Sequence, residues 1–154
     1  MTTRQRTVAL GILLLVYLVA ALLIGFWSTP VDGPGRGWLL RTLDALHLRG
    51  LPQAVDYEVV ESAANVLFFV PLGILLTAIL PRWLWPLAIV GGALFSCGIE
   101  LGQLLLLPAR LASWWDVAAN SAGTAIGVAV VLVIRGIVAS GRRPTQTERP
   151  AQAA

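Results

Sequence analysis

Four apolar runs recur along the chain, each close to the ~20 residues a helix needs to cross the hydrocarbon core of a bilayer. The first extends from Val8 to Trp27 without a charge and follows Arg4 and Arg6. The second covers about Val59 to Leu80 with Pro71 inside it, and the third about Pro86 to Leu107 with Glu100 inside it. The fourth runs from about Trp115 to Ile134, opening with Asp116 and ending against Arg135. The pattern predicts an all-α polytopic membrane protein, a four-transmembrane-helix bundle with spans at about 8–27, 59–80, 86–107 and 115–134. A signal peptide also starts basic and turns apolar. Its core is usually about 7–15 residues and precedes a small-residue cleavage site. The first run is longer and ends in Phe26-Trp27-Ser28-Thr29-Pro30, so it reads as a retained span.

The polar segments complete the plan. Residues 28–58 make one sizeable loop, and within it Leu39, Leu43 and Leu46 share a helical face between Trp38 and Arg49. This predicts a short helix that either lies in the membrane interface or packs on the end of the bundle. Residues 1–134 read as one membrane domain. Residues 135–154, polar and Pro-containing towards the end, read as a disordered cytoplasmic tail.

Composition agrees with the pattern. Hydrophobic residues make up 57% and charged residues 12%, with a mean hydropathy of +0.80, which is far more apolar than a water-soluble domain of 154 residues. Every basic residue is Arg, but the Arg residues are scattered between apolar runs and make no basic face for nucleic acid. Their distribution sets the expected orientation. With both termini inside, the inner side holds Arg4, Arg6, Arg82, Arg135, Arg142, Arg143 and Arg149, and the outer side holds Arg36, Arg41, Arg49 and Arg110. The expected location is the cell membrane, multi-pass, N-in and C-in. Trp27, Trp38, Trp83, Trp85, Trp114 and Trp115 all fall at or beyond span ends, as an aromatic belt requires.

Candidate chemistry sits in polar residues within the spans, where ionisable groups are costly and usually face protein or water. Glu61 and Asn65 share a face of the second span, Glu100 and Gln103 a face of the third, and Asp116 and Asn120 a face of the fourth. Alternating helix directions bring all six to similar depth in the outer leaflet, with Arg110 in the short loop above them. Glu61, Asn65, Glu100, Gln103, Arg110, Asp116 and Asn120 are therefore the expected binding residues. Glu100, Asp116 and Glu61 are the candidates for acid–base catalysis. The bland readings are interhelical hydrogen-bond glue for the amides, a neutralising salt bridge for Arg110 and a helix cap for Asp116. Pro71 and Gly73 are expected to shape a kink. Gly123-x-x-x-Gly127 permits close helix approach, whereas Gly98-x-x-x-Gly102 faces another neighbour or a homodimer. His47 and Cys97 are single and apart, so no metal site, cofactor or disulfide is expected.

These residues carry a family resemblance. Glu61-x-x-x-Asn65-Val-Leu-Phe-Phe-Val-Pro71-Leu-Gly73, then Ser96-x-x-x-Glu100-x-x-Gln103, Arg110, and Asp116-x-x-x-Asn120-x-x-Gly123-x-x-x-Gly127 resemble the signatures of the VanZ-like family. Ala109 stands where the family commonly has Gly. The family is named after a membrane protein associated with teicoplanin resistance. The expected partners are membrane lipids, a lipid-linked wall precursor or a glycopeptide antibiotic. Two functions follow as expectations. One is an outer-leaflet pocket that binds an amphiphilic envelope component, with a link to glycopeptide tolerance. The other is an intramembrane enzyme that uses Glu100 and Asp116 on such an amphiphile.

Overall fold

The computed structural model describes residues 2–26, 33–107 and 113–141. These residues form helices α1 (Thr3–Gly25), α2 (Gly33–His47), α3 (Tyr57–Ile79), α4 (Trp85–Leu106) and α5 (Trp114–Ser140), with a 3-10 turn at Arg82–Leu84. Four of them, α1, α3, α4 with its 3-10 turn, and α5, are long and apolar enough to cross a membrane. The protein is an all-helical polytopic membrane protein. Among the described residues there is no strand.

Local chemistry fixes the helix starts. Thr2 caps α1 and forms a reciprocal pair with Gln5. Asp56 caps α3 by accepting the amide of Val59 at 3.0 Å. Ser113 caps α5 by accepting the amide of Asp116 at 3.4 Å. The cap of α5 is thus Ser113, and Asp116 sits in the first turn with its carboxylate released for other contacts.

Interhelical contacts set the topology as up-down-up-down. The last carbonyl of α1, at Gly25, meets Gln103 near the end of α4, and the starts of α3 and α5 meet through Asn65 and Asp116. One end of the bundle therefore gathers the ends of α1 and α4 and the starts of α3 and α5. The opposite end holds the start of α1, the turn at Arg82–Leu84 and the ends of α3 and α5.

Helices α3 and α5 share the largest interface, and glycine makes it possible. A Cβ at Gly123 would strike the carbonyl of Val66, and one at Gly127 would strike the carbonyl of Val70 and lie 2.8 Å from the amide nitrogen of Ile74. From the other side, a Cβ at Gly73 would meet the backbone of Thr124. The two backbones touch, as small residues at membrane interfaces allow. Gly73 is a packing position, and α3 runs unbroken through Pro71 from Tyr57 to Ile79. Tyr17 of α1 donates its hydroxyl to the carbonyl of Phe68 at 2.8 Å, three residues before that proline. Phe69, Leu72 and Ile99 form the buried apolar core, with Leu14, Phe68 and Phe95 packed around it.

Three expectations change in detail. Helix α5 continues six residues beyond Ile134 to Ser140, so the stretch at 135–140 is helical and the tail is shorter. The apolar residues Ile137, Val138 and Ala139 extend the helix, while residues 142–154 lie outside the described ones. The loop helix starts at Gly33, ahead of Trp38. It is anchored on the bundle: Leu43 is buried, and the guanidinium of Arg36 lies 4.5 Å from the ring centre of Tyr57 on α3. Trp38, Leu40 and Leu46 remain exposed. Finally, the Gly98-x-x-x-Gly102 pair divides. Gly102 packs against the ring of Phe26 from α1, while Gly98 faces open space.

Candidate functional site

The end of the bundle that carries α2 holds the polar cluster. Its residues arrive from three helices at matching depth, because parallel α3 and α5 start together and antiparallel α4 ends beside them. The stripe on α4 is wholly inward: Gly92, Ser96, Ile99, Glu100 and Gln103 are all buried. On α5 the inward stripe continues through Asn120, Gly123 and Gly127.

Asn65 donates to Oδ1 of Asp116 at 3.1 Å and ties α3 to α5. One turn deeper, Asn120 donates to the hydroxyl of Ser96 at 2.9 Å and ties α5 to α4. Glu100, only 8% exposed, accepts the backbone amide of Ser113 at 2.9 Å through Oε2. This places a carboxylate at the start of α5, where the helix dipole and unpaired amides favour negative charge. Glu100 is thus an anchor for the first turn of α5. Gln103 reaches away from this group and donates to the carbonyl of Gly25 at 2.8 Å, satisfying an end of α1. Glu61, one turn before Asn65, is exposed at the rim.

The structure therefore joins Asn65 to Asp116 and Asn120 to Ser96, with Glu100 beside the α5 start and Gln103 turned to α1. Arg110 lies outside the described residues, as does Trp27. Among the described residues no group of three His, Cys, Asp or Glu side chains could hold a metal ion. One acceptor in the cluster has no donor. Oδ1 of Asn120, on a residue only 6% exposed, is buried without a hydrogen-bond partner. An unmet buried acceptor costs about 1–3 kcal/mol, so this atom marks where a further donor belongs.

Two residues that the polar-pair pattern passed over lie at the opposite end. Arg135 donates through Nη2 to the carbonyl of Thr77 at 2.8 Å, closing the last turn of α3, and Arg82 donates to the carbonyl of Arg135 at 3.3 Å. Read from sequence, both serve only as topology charges. Their carbonyl partners depend on the register between α3 and α5, which no local pattern reveals.

The described charges divide sharply between the ends. Asp44, Asp56, Glu58, Glu61, Glu100 and Asp116 all belong to the end with α2, alongside Arg36, Arg41 and Arg49. The other end carries Arg4, Arg6, Arg82 and Arg135, and no acid among the described residues.

A four-span helical bundle with a polar cluster at one end defines a class of small integral membrane proteins. The sequence profile of the VanZ/LLP1 family matches residues 12–135, which take in α3 and α4 whole, most of α1 and α5, and the whole cluster. The chain belongs to that family. Neither the curated proteins nor the solved structures yield a match.

Proposed function

We propose that this protein is a cell-membrane protein whose polar cluster opens to the outer leaflet and binds an amphiphilic component of the envelope. The ligand classes that fit are a lipid, a lipid-linked wall precursor or a lipoglycopeptide, with glycopeptide tolerance as the associated phenotype. Orientation follows from charge: the end with Arg4, Arg6, Arg82 and Arg135 and no described acid faces the cytoplasm, N-in and C-in. Membrane helices pay for buried polar groups, and such groups commonly mark a ligand path.

The observation that carries the reading is the unmet Oδ1 of Asn120 within a buried cluster built by three helices. Glu100 and Asp116 add acceptors nearby on α4 and α5, so the complementary ligand presents donors, such as hydroxyl or ammonium groups. Its apolar chain would lie along the exposed faces of the bundle. Arg110, between α4 and α5 in the sequence, would meet an anionic group of the same ligand.

Native mass spectrometry of the full-length protein, released from membranes of its expression host, tests this. The expected result is a retained amphiphile that is lost in Glu100→Gln and Asn120→Leu while Gly98→Ala keeps it. Equal retention in all four proteins, each shown to be folded, would remove the cluster from the binding site.

A further inference from the structure

The end of the bundle opposite the polar cluster has its own unexplained feature. A guanidinium carries five N–H donors. Arg135 spends Nη2 on the carbonyl of Thr77, while its Nη1 is buried without a hydrogen-bond partner. Arg82 spends Nη2 on the carbonyl of Arg135 and is otherwise exposed. Carbonyls orient these side chains but neutralise neither. Every described carboxylate lies at the other end, so two positive charges stand together without a described counter-ion.

The surroundings fix the depth. Trp83, 77% exposed, adjoins Arg82 in the turn before α4, and Trp85, 39% exposed, opens that helix. Exposed tryptophans at the ends of spans sit at the headgroup level of a bilayer. At that level the abundant anion is the phosphate of a lipid, and arginine matches its oxygens with paired donors.

We propose that Arg82 and Arg135 form a binding site for the phosphate of an anionic phospholipid. Arg82 is the accessible arm that holds the phosphate oxygens. Arg135 stands behind it, fixed by Thr77, and supplies a second, half-buried charge. Trp83 and Trp85 flank the glycerol region. The site is independent of the pocket at the other end, and it serves to hold α3, α5 and the α4 turn at one depth in the membrane.

Full-length protein in mild detergent, titrated with phosphatidylglycerol or phosphatidylcholine and read by native mass spectrometry, tests the proposal. Phosphatidylglycerol should be retained in preference to phosphatidylcholine. Arg82→Gln should weaken its retention about fivefold, the loss expected for one guanidinium beside an anionic headgroup. Arg41→Gln, at the opposite end, should leave retention unchanged. Arg82 is exposed, so its replacement spares the fold, whereas Arg135→Gln would also free the carbonyl of Thr77. Equal retention of the two lipids, or wild-type retention by Arg82→Gln, would overturn the proposal. Displacement of the lipid by an equal concentration of inorganic phosphate would overturn it too, since free phosphate would then be the ligand.

Discussion

Asn65 on α3 donates a hydrogen bond to the carboxylate of Asp116 on α5, across 3.1 Å and between two helices whose backbones touch about two turns further along α5, at Gly123. The bond therefore does two things. It orients Asp116 away from capping its own helix, and it locks the register in which the glycines can nest. In membrane proteins such bonds contribute about 0.6–2 kcal/mol. Asn65→Ala and Asp116→Ala should each destabilise the protein, and the double variant should cost less than their sum. Denaturation of the reconstituted protein checks this; strict additivity would deny the coupling.

The glycine contacts make a sharper contrast. A methyl at Gly127 has nowhere to go, because it would meet the carbonyl of Val70 and sit 3.0 Å from Cα of Gly73. Gly127→Ala should cost about 1–3 kcal/mol as overpacking, and larger side chains should prevent folding. Gly98→Ala, with nothing within 4 Å, should leave the isolated bundle unchanged. Thermal unfolding in detergent compares the two directly. Equal effects would mean that α3 and α5 do not pack through Gly127.

The number and approximate place of the spans were legible because a bilayer demands about 20 apolar residues, a constraint strong enough to survive without any homologue. The cluster was legible for a related reason. Polar residues three or four apart within apolar helices can share a face, as Ser96, Glu100 and Gln103 do on α4, where all three are buried. Partner choice was not legible. Gln103 shares the face of Glu100, yet it bonds the end of α1, because the carbonyl of Gly25 in the last turn of that helix lies within its reach. Ser113 rather than Asp116 caps α5, since it lies one residue before the first turn. Arg135 read as a charge outside the membrane, although it continues α5 and closes α3. Each of these depends on how two helices align along their axes, which periodicity does not encode.

Orientation carries the pocket to one leaflet or the other, and labelling decides it. A cysteine replacing Gly35, on exposed α2, should react with an impermeant thiol reagent in intact cells. One replacing Arg82 should react only after permeabilisation. The native Cys97 lies within α4 and is replaced by serine in both proteins. Labelling at 82 with protection at 35 would reverse the bundle and place the cluster in the inner leaflet.

Glu100 separates a structural carboxylate from a working one. Its Oε2 accepts the amide of Ser113, and that bond needs only an oxygen acceptor. Glu100→Gln keeps such an oxygen and nearly the same shape while removing the charge. Loss of the favourable interaction with the start of α5 should cost about 0.3–1 kcal/mol, too little to unfold the bundle. An amide cannot exchange a proton or meet a cationic group of a ligand as a carboxylate does. The variant should therefore reach wild-type levels in the membrane and yet lose the envelope phenotype, with glycopeptide tolerance in a susceptible host as the assay. Asp116→Asn should behave alike, because Asn65 can still donate to an amide oxygen. If both variants keep full tolerance at wild-type abundance, Glu100 does no more than hold α5 in place and the ligand must be bound elsewhere.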